Sequence, residues 1–249
     1  MRLDDRVALV TGASGGLGAH FAGVLAKSGA RVAVGARRLA ELEAVAGAIG
    51  ERAMAVPLDV TDDASVDAAV AAVEARFGPV DVLVNNAGVI EEGRVPLELA
   101  PDAFAAVLDT NLVGAYRMAR RVGRRLIADG RPGAIVNVAS ILSFGLQPGV
   151  PAYCAAKAGL AHLTKQLALD LAPRDIRVNA LAPGYIETDI SRDFLQSERG
   201  QAMVEAIPSG RVARPEDLDG ALLLLASDAG ASITGVVLPV DAGHLVKGL

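Results

Sequence analysis

A glycine-rich turn close to the start of the chain is the feature that most restricts the fold. An apolar, β-branched run from Val7 to Thr11 breaks at Gly12, and apolar residues then recur with helical spacing through Ala30. A strand, a tight turn and a helix in this order form an anion site, because glycines let the backbone turn and let a pyrophosphate approach the helix N-terminus. A second strand (Arg31 to Gly35) and a helix (Arg38 to Ile49) follow, as a dinucleotide-binding unit requires. The candidate dinucleotide-binding residues of the turn are Gly12, Ser14, Gly16, Leu17 and Gly18.

Short apolar runs alternate with amphipathic segments along the rest of the chain, which predicts an α/β fold with a parallel sheet. The length of 249 residues allows one or two domains, and a hydrophobic content of 52% is enough for a large core. Because no linker-like or low-complexity segment interrupts the alternation, we expect a single domain over residues 1–249. The expected architecture is a doubly wound Rossmann fold, with helices on both faces of a seven-stranded parallel sheet. The candidate strands are Val7–Thr11, Arg31–Gly35, Ala53–Pro57, Val80–Asn85, Ala134–Val138, Arg177–Ala182 and Val236–Val240.

A tyrosine and a lysine lie four residues apart in a segment that the pattern predicts to be helical. Tyr153 and Lys157 would share one helix face, where an ammonium group can lower a phenol pKa of about 10 toward neutrality. Ser140 closes a strand-like run earlier in the chain. A phenol tuned in this way transfers protons near neutral pH. The alternative is an ordinary surface pair at helical spacing.

The ordered set of motifs resembles the short-chain dehydrogenase/reductase family over almost the whole chain. The residues that carry the resemblance are Thr11-Gly-Ala-Ser-Gly-Gly-Leu-Gly18, Asn85-Asn-Ala-Gly88, Asn111, Ser140, Tyr153, Lys157 and Pro183-Gly184. The segment from Asn179 to Asp189 is similar to that of the 3-oxoacyl thioester (acyl-carrier-protein) reductase branch.

The resemblance implies four catalytic residues. Ser140 would donate a hydrogen bond to a substrate carbonyl oxygen, and Tyr153 would transfer the proton. Lys157 would lower the Tyr153 pKa and bond the nicotinamide ribose, while Asn111 would hold a water that links Lys157 to solvent. An alternative for Asn111 is that a polar side chain repairs a kink in the helix backbone.

Charge at the end of the second strand bears on the cofactor. A carboxylate there would accept the ribose hydroxyls of NAD, whereas a guanidinium would pair with the extra phosphate of NADP. Ala36 supplies no acid and Arg37 supplies the cation, which favours NADP(H) over NAD(H). Ser14 stands where NADP-preferring members often carry a second basic residue. The alternative for Arg37 and Arg38 is a solvated start to the next helix, which would give weak cofactor discrimination.

The resemblance also implies further cofactor contacts. Asp59 and Val60, after the third strand, would hold the adenine edge, unless Asp59 only caps the helix that begins near Asp63. Residues that follow the fourth and sixth strands would lie at the carboxyl edge of the sheet, where ligands bind. They are Asn86, Ala87, Gly88, Pro183, Gly184, Ile186 and Thr188.

The substrate region is predicted to be partly apolar. The segment at about 189–208 has mixed polarity and fits a substrate lid. Together with Leu142, Phe144, Leu146, Tyr185 and Ile190, it indicates a pocket for a small-molecule substrate with substantial apolar surface.

Composition argues against several other classes. A net charge of −5 and an aromatic content of 3% disfavour a nucleic-acid surface. No apolar run approaches the roughly 20 residues that cross a bilayer, so we expect a cytoplasmic protein with no membrane partner. The single cysteine, Cys154, cannot form an internal disulfide and is expected to pack as an apolar residue rather than act as a redox sensor. No Cys/His spacing indicates a metal site.

Two surface features leave alternatives open. Five arginines share the helix predicted from Pro101 to Asp129, where they form either a solvated face or a landing patch for an acidic carrier protein. By resemblance we expect a homo-oligomer, a tetramer, although burial in the monomer would also explain the apolar stripe at Gly159, Leu160, Leu163, Leu167 and Leu171.

Ala242 stands where relatives usually have glycine, and alanine fits there if its φ is negative. His20, His162 and His244 are assigned no chemistry.

These observations predict an NADP(H)-dependent oxidoreductase that transfers a hydride between nicotinamide and a carbonyl or secondary alcohol of a small, partly apolar substrate. One alternative is a 3-oxoacyl-thioester reductase. A more remote alternative is a non-catalytic NADP-binding sensor.

Overall fold

A computed structural model describes residues 1–91, 96–187 and 197–247, which contribute seven strands to one parallel sheet. The strand order is β3-β2-β1-β4-β5-β6-β7, which confirms the predicted fold class. In chain order the strands are β1 (Val7–Thr11), β2 (Arg31–Ala36), β3 (Ala53–Pro57), β4 (Val82–Asn85), β5 (Gly133–Val138), β6 (Ile176–Pro183) and β7 (Val237–Val240).

The strands form where the sequence has short runs of Val, Ile, Leu and Ala. β1 and β4 are buried at every position, as expected for central parallel strands covered on both sides. β1 and β3 have the predicted bounds, and the other strands differ by one or two residues at one end or, in β6, by one residue at each end. β4 begins two residues later than predicted, after Asp81, whose carboxylate accepts the Val7 N–H at 2.9 Å.

Helices cover both faces of the sheet, and each face has its own apolar core. One core includes Phe21, Leu25, Leu42 and Leu222, and the other includes Val70, Met118 and Leu126. The first core packs α1, α2 and α8, whereas the second packs α3, α5 and α6. The helices are α1 (Gly16–Lys27), α2 (Leu39–Ile49), α3 (Asp63–Phe77), α4 (Pro101–Leu108), α5 (Gly114–Ala128), α6 (Pro151–Leu171), α7 (Glu198–Ala206), α8 (Asp219–Ala226) and α9 (His244–Lys247).

The long helix predicted from Pro101 to Asp129 is interrupted. A π-helical turn, Asp109–Val113, separates α4 from α5 and contains the buried Asn111. α1 also ends earlier than the predicted Ala30, because Gly29 has a φ of +105°.

Strand order sets the place of the site. The sheet reverses its winding between β1 and β4, and ligands of such sheets bind in the crevice beyond the carboxyl ends of these strands. Thr11, Asn85 and Val138 end β1, β4 and β5, and Pro183 ends β6 at the same edge. In the described part of the chain, no helix is long and apolar enough to cross a membrane.

Candidate active site

The glycine turn is fastened to the end of β4 by Thr11. The Thr11 hydroxyl accepts the backbone N–H groups of Asn86 and Ala87 at 3.0 and 2.9 Å. The Asn86 side chain in turn donates to the backbone oxygens of Thr11 and Gly12 at 3.0 and 3.2 Å. The two loops that line the crevice at the winding reversal are therefore one hydrogen-bonded unit.

Two of the predicted turn glycines are required by geometry. Gly12 has a φ of +65°, which a residue with a side chain rarely adopts. A Cβ at Gly18 would collide with the Gly12 carbonyl oxygen and lie 2.6 Å from the Asn86 amide nitrogen. The packed turn leaves the N-terminus of α1, which begins at Gly16, at the crevice.

Both arginines after β2 are exposed, and Arg38 reaches the glycine turn. Its guanidinium donates to the Ser14 hydroxyl at 2.9 Å, and it also lies 3.6 Å from the Glu41 carboxylate. The sequence has Ser14 where a second basic residue was expected in the turn. Arg38, from the end of β2, places its positive charge beside Ser14 instead. From the sequence, Arg37 was the expected cofactor contact and Arg38 was named only as part of a solvated helix start, because spacing alone does not show which arginine turns toward the glycines.

Asp59 does not cap the following helix. The N-cap of α3 is Asp62, whose carboxylate accepts from Ala64 and Ser65, so the alternative role given to Asp59 is wrong. Asp59 instead accepts the Thr61 N–H at 2.9 Å and hydroxyl at 2.6 Å. These bonds hold the pKa of the Asp59 carboxyl below its usual value, and Arg37 acts in the same direction. Val60, which follows, is buried.

Ser140, Tyr153 and Lys157 line one cavity of about 430 Å³ at the carboxyl edge of the sheet. Ser140 follows β5, and its hydroxyl accepts the Leu142 N–H at 3.1 Å. Tyr153 and Lys157 lie on α6, as their spacing predicted. Six of the predicted cofactor residues outside this group also line the cavity: Leu17, Asn86, Gly88, Pro183, Gly184 and Ile186.

Lys157 is buried, with 4% of its surface exposed. Its ammonium donates to the Val138 carbonyl oxygen at 2.7 Å and lies 5.5 Å from the centre of the Tyr153 ring. Burial lowers the Lys157 pKa to about 8.

The pKa of Tyr153 is raised in the free protein, not lowered as the sequence analysis predicted. Burial of the phenol is the main cause, and the charge of Glu91 adds to it, whereas the Ser140 side chain acts in the opposite direction. The Lys157 ammonium donates its hydrogen bond to the Val138 carbonyl oxygen and not to the phenol. It therefore does not offset the effect of burial on the Tyr153 pKa.

Asn111 joins the π turn to the loop after β4. Its amide oxygen accepts the Val89 N–H at 2.8 Å, and its amide nitrogen donates to the Val89 carbonyl oxygen at 2.6 Å. The side chain therefore does not repair its own helix backbone. A Cβ at Gly88 would lie 2.6 Å from the Asn111 amide oxygen and 3.7 Å from the Lys157 nitrogen, so only glycine fits between them.

Glu91 is a contact that the sequence analysis missed. Its carboxylate accepts the Ala152 N–H at 2.7 Å and the Tyr153 N–H at 3.1 and 3.2 Å, in the first turn of α6. A carboxylate at a helix N-terminus satisfies unpaired N–H groups and complements the helix dipole. No local pattern reveals it, because the partners are about sixty residues apart in the chain.

A buried polar chain supports the same elements. The Asn85 amide donates to the Ala115 carbonyl oxygen and to Asn137, and the Asn137 amide donates to Thr164. These bonds connect β4, β5, α5 and α6 beneath the cavity. Asn85 begins the Asn85–Gly88 motif, but no role could be predicted for it from the sequence.

The substrate lid at about 189–208 stays a prediction. Thr188, Ile190 and the segment 189–196 lie outside the described residues, whereas 197–208 includes α7. Of the predicted pocket residues, Leu142 and Tyr185 line the cavity, while Phe144 and Leu146 lie in an adjoining open groove.

Arginines of α5 form ion pairs with acidic side chains of the same chain. Arg117 lies 2.8 Å from Asp109, and Arg121 lies 3.1 Å from Asp67. Arg125 also pairs with Asp129, at 2.7 Å. Much of this positive charge is therefore matched within the chain, which weakens the carrier-protein interpretation.

Several smaller predictions can be compared with the structure. Cys154 is buried among apolar side chains, as predicted. Ala242 has a φ of +57°, so the condition under which alanine would fit there freely is not met: the turn into α9 requires the left-handed conformation that glycine adopts readily. Among the described residues, no group of His, Cys, Asp and Glu side chains could hold a metal ion.

Known proteins resemble this chain over nearly its whole length. A family model described as enoyl-(acyl carrier protein) reductase matches residues 12–244. D-threitol dehydrogenase of Mycolicibacterium smegmatis is 40% identical, covering 99% of this chain and 95% of the relative. A 3-oxoacyl-(acyl-carrier-protein) reductase of Vibrio cholerae is 36% identical and is covered to 98%, as is this chain.

Solved structures agree. A gluconate 5-dehydrogenase from Burkholderia cenocepacia, in complex with NADP and tartrate, superposes with a TM-score of 0.92 at 36% identity, covering 98% of this chain and 97% of that one. With the motifs gathered at one crevice, these matches show that the chain belongs to the short-chain dehydrogenase/reductase family of NAD(P)-dependent oxidoreductases.

Proposed function

We propose that the protein is an NADP(H)-preferring oxidoreductase that acts on a carbonyl or secondary alcohol of a small, partly apolar substrate. The observation that carries the proposal is the single cavity lined by Ser140, Tyr153 and Lys157 beside the glycine turn. Nicotinamide, when bound, supplies or takes the hydride. The protein holds the substrate oxygen and moves its proton.

Each of the catalytic side chains has a role that suits its surroundings. The Ser140 hydroxyl donates a hydrogen bond to the substrate oxygen, and this bond strengthens as negative charge grows there. The Tyr153 phenol, whose raised pKa keeps it protonated, gives its proton during reduction. The Lys157 ammonium, 5.5 Å from the ring, stabilises the phenolate that results. Asn111 holds the loop that carries Gly88 and Val89.

The proposed NADP preference rests on Arg37 and Arg38 at the end of β2. Arg38 bonds Ser14 in the glycine turn, and Arg37 lies close enough to Asp59 to affect its pKa, so two cations flank the expected ribose position. Replacing both with alanine should lower kcat/KM for NADPH about tenfold to a hundredfold, and that for NADH much less. An equal loss with both cofactors would contradict this assignment.

The proposed activity is tested with a panel of ketones, secondary alcohols and sugar alcohols, with both pairs of cofactors, read by absorbance of the reduced nicotinamide. We expect turnover of small alcohols or ketones, and faster turnover with NADP(H). Tight cofactor binding without turnover of any substrate would instead indicate the non-catalytic sensor.

A second candidate is 3-oxoacyl-thioester reduction. Similarity to the Vibrio cholerae reductase favours it, whereas the ion pairs of the α5 arginines give it no free basic patch at those positions. Reduction of acetoacetyl-CoA at a rate well above that of the small ketones would favour this function.

We also propose a homotetramer. Large apolar side chains are exposed on α6 and the loop before it: Leu169 is 72% exposed, Leu146 81% and Phe144 52%. Apolar surface of this kind is typical of subunit contacts.

A further inference from the structure

Besides the proton-transfer group, the cavity carries a second polar pair, formed by Gln147 and Tyr185. Both residues line the cavity that contains Ser140 and Tyr153. The Tyr185 hydroxyl donates to the Gln147 amide oxygen at 2.9 Å. The two residues come from the loops after β5 and β6, so the pair joins two loops that line the cavity.

The hydrogen bond fixes which end of the amide is offered to a ligand. Because the Gln147 oxygen is engaged by Tyr185, the amide nitrogen keeps two N–H donors, and these have no partner among the described residues. The Tyr185 ring packs against the buried His244 ring, with the ring centres 5.6 Å apart. The pair is therefore a positioned donor.

Charge indicates what this donor would bind. In the part of the cavity that the structure describes, the only charged side chain is Lys157, and its ammonium already bonds Val138. The walls are otherwise largely apolar, including Ile90, Ile141 and Leu142. A neutral oxygen such as a hydroxyl suits an amide N–H here better than a carboxylate, because Gln147 and Tyr185 are uncharged and Lys157 is the proposed partner of the Tyr153 phenolate.

We propose that Gln147, oriented by Tyr185, binds a second hydroxyl of the substrate, so that the substrate class is a polyol rather than a simple alcohol or a 3-oxoacyl thioester. This inference rests on the proposed function. A site built to hydrogen-bond a substrate hydroxyl discriminates against the analogue that lacks it, because the donor is then left unpaired.

The test compares two three-carbon alcohols, propylene glycol and isopropanol, which differ by one hydroxyl. The full chain is assayed with NADP, and the measured quantity is the ratio of their kcat/KM values. We expect the unaltered protein to favour the diol about tenfold. Gln147→Leu should bring the ratio close to one, and Tyr185→Phe should lower it partly, because the amide loses its orienting partner.

Gln166→Leu is the matched control, since it makes the same change at an exposed glutamine of α6 that lies outside the cavity and whose amide donates to Asp170 at 3.0 Å. It should keep the ratio. An unchanged ratio in Gln147→Leu, with both rates lowered equally, would mean a structural role only and would overturn the inference, as would equal use of both alcohols by the unaltered protein. Turnover of neither alcohol, nor of any compound in the wider panel, would count against the proposed function itself.

Discussion

The Lys157 side chain is buried, and burial destabilises its charged form. Its pKa falls from 10.5 to about 8 because the folded chain buries it. Between these two pH values the unfolded chain holds the proton and the folded chain does not, so the stability contributed by this group rises with pH from about 8 to 10.5. Below pH 8 the full penalty applies, which is about 3 kcal/mol.

Lys157→Met should therefore stabilise the free protein at pH 7. We expect a gain of about 2 kcal/mol in the free energy of unfolding, since the lost hydrogen bond to Val138 offsets about 1 kcal/mol of the relieved penalty. Near pH 10.5, where little of the burial penalty remains but the hydrogen bond is still lost, the gain should become a loss of about 1 kcal/mol. Urea unfolding at both pH values measures it, and an equal gain at both would contradict the assigned pKa. Activity should be lost in this variant.

Tyr153→Phe removes the proton donor with little change of shape. We expect turnover to fall by at least a few hundredfold, while cofactor binding is nearly retained. Steady-state kinetics and cofactor titration measure the two effects separately. Near-normal turnover would refute the catalytic role of Tyr153.

Ala242 holds a left-handed backbone conformation that alanine tolerates poorly. Ala242→Gly should raise the free energy of unfolding by about 0.5 to 1 kcal/mol, because relief of backbone strain exceeds the extra entropy of the unfolded glycine. Asp175→Gly, at a φ of +56°, is the control and should gain less, since aspartate is more tolerant of this conformation. Denaturant unfolding that ranks the two variants in the opposite order would refute the strain argument.

At the scale of the element, the first turn of α6 depends on a residue outside the helix. Glu91 bonds the N–H groups of Ala152 and Tyr153, so the loop after β4 and the helix with the proposed proton donor are fixed together. No other N-terminal side-chain cap of α6 is found in the described residues.

Glu91→Ala should destabilise the protein by about 1 to 2 kcal/mol and lower kcat. Glu91→Gln keeps an acceptor oxygen but not the charge, and should recover at least half of the lost stability. Denaturant unfolding and steady-state kinetics measure both effects. If alanine and glutamine variants are equally stable, the hydrogen bonds to α6 are not what Glu91 contributes.

The elements differ in how far the sequence predicts them. β1 and the glycine turn could be read directly, because their apolar run and glycines are local signals. The break between α4 and α5 could not, since the π turn at Asn111 goes with side-chain bonds to Val89, more than twenty residues away. The pKa of Tyr153 was predicted in the wrong direction for a similar reason: helical spacing shows the lysine, but it does not show the depth of burial.

At the scale of the molecule, the motifs were predictable as a set because parallel strands bring their carboxyl ends to one edge. Ser140 and Gly88 lie far apart in the sequence and line the same cavity. The substrate could not be predicted in this way. Gln147 belongs to no motif, and the role we propose for it rests on its hydrogen bond with Tyr185, which comes from the loop after another strand.

The exposed apolar side chains on and before α6 predict association of whole molecules. Light scattering coupled to size-exclusion chromatography should give a mass of about 100 kDa, which is four times the 25.4 kDa of one chain. A particle of about 25 kDa at micromolar concentration would contradict the proposed tetramer.

The packing of His244 on Tyr185 also has a consequence for biosynthesis. Some sixty residues separate the two, so the His244 ring is synthesised well after the glycine turn and the residues of β6. The packing that holds Tyr185 in place therefore depends on nearly the last residues of the chain to leave the ribosome.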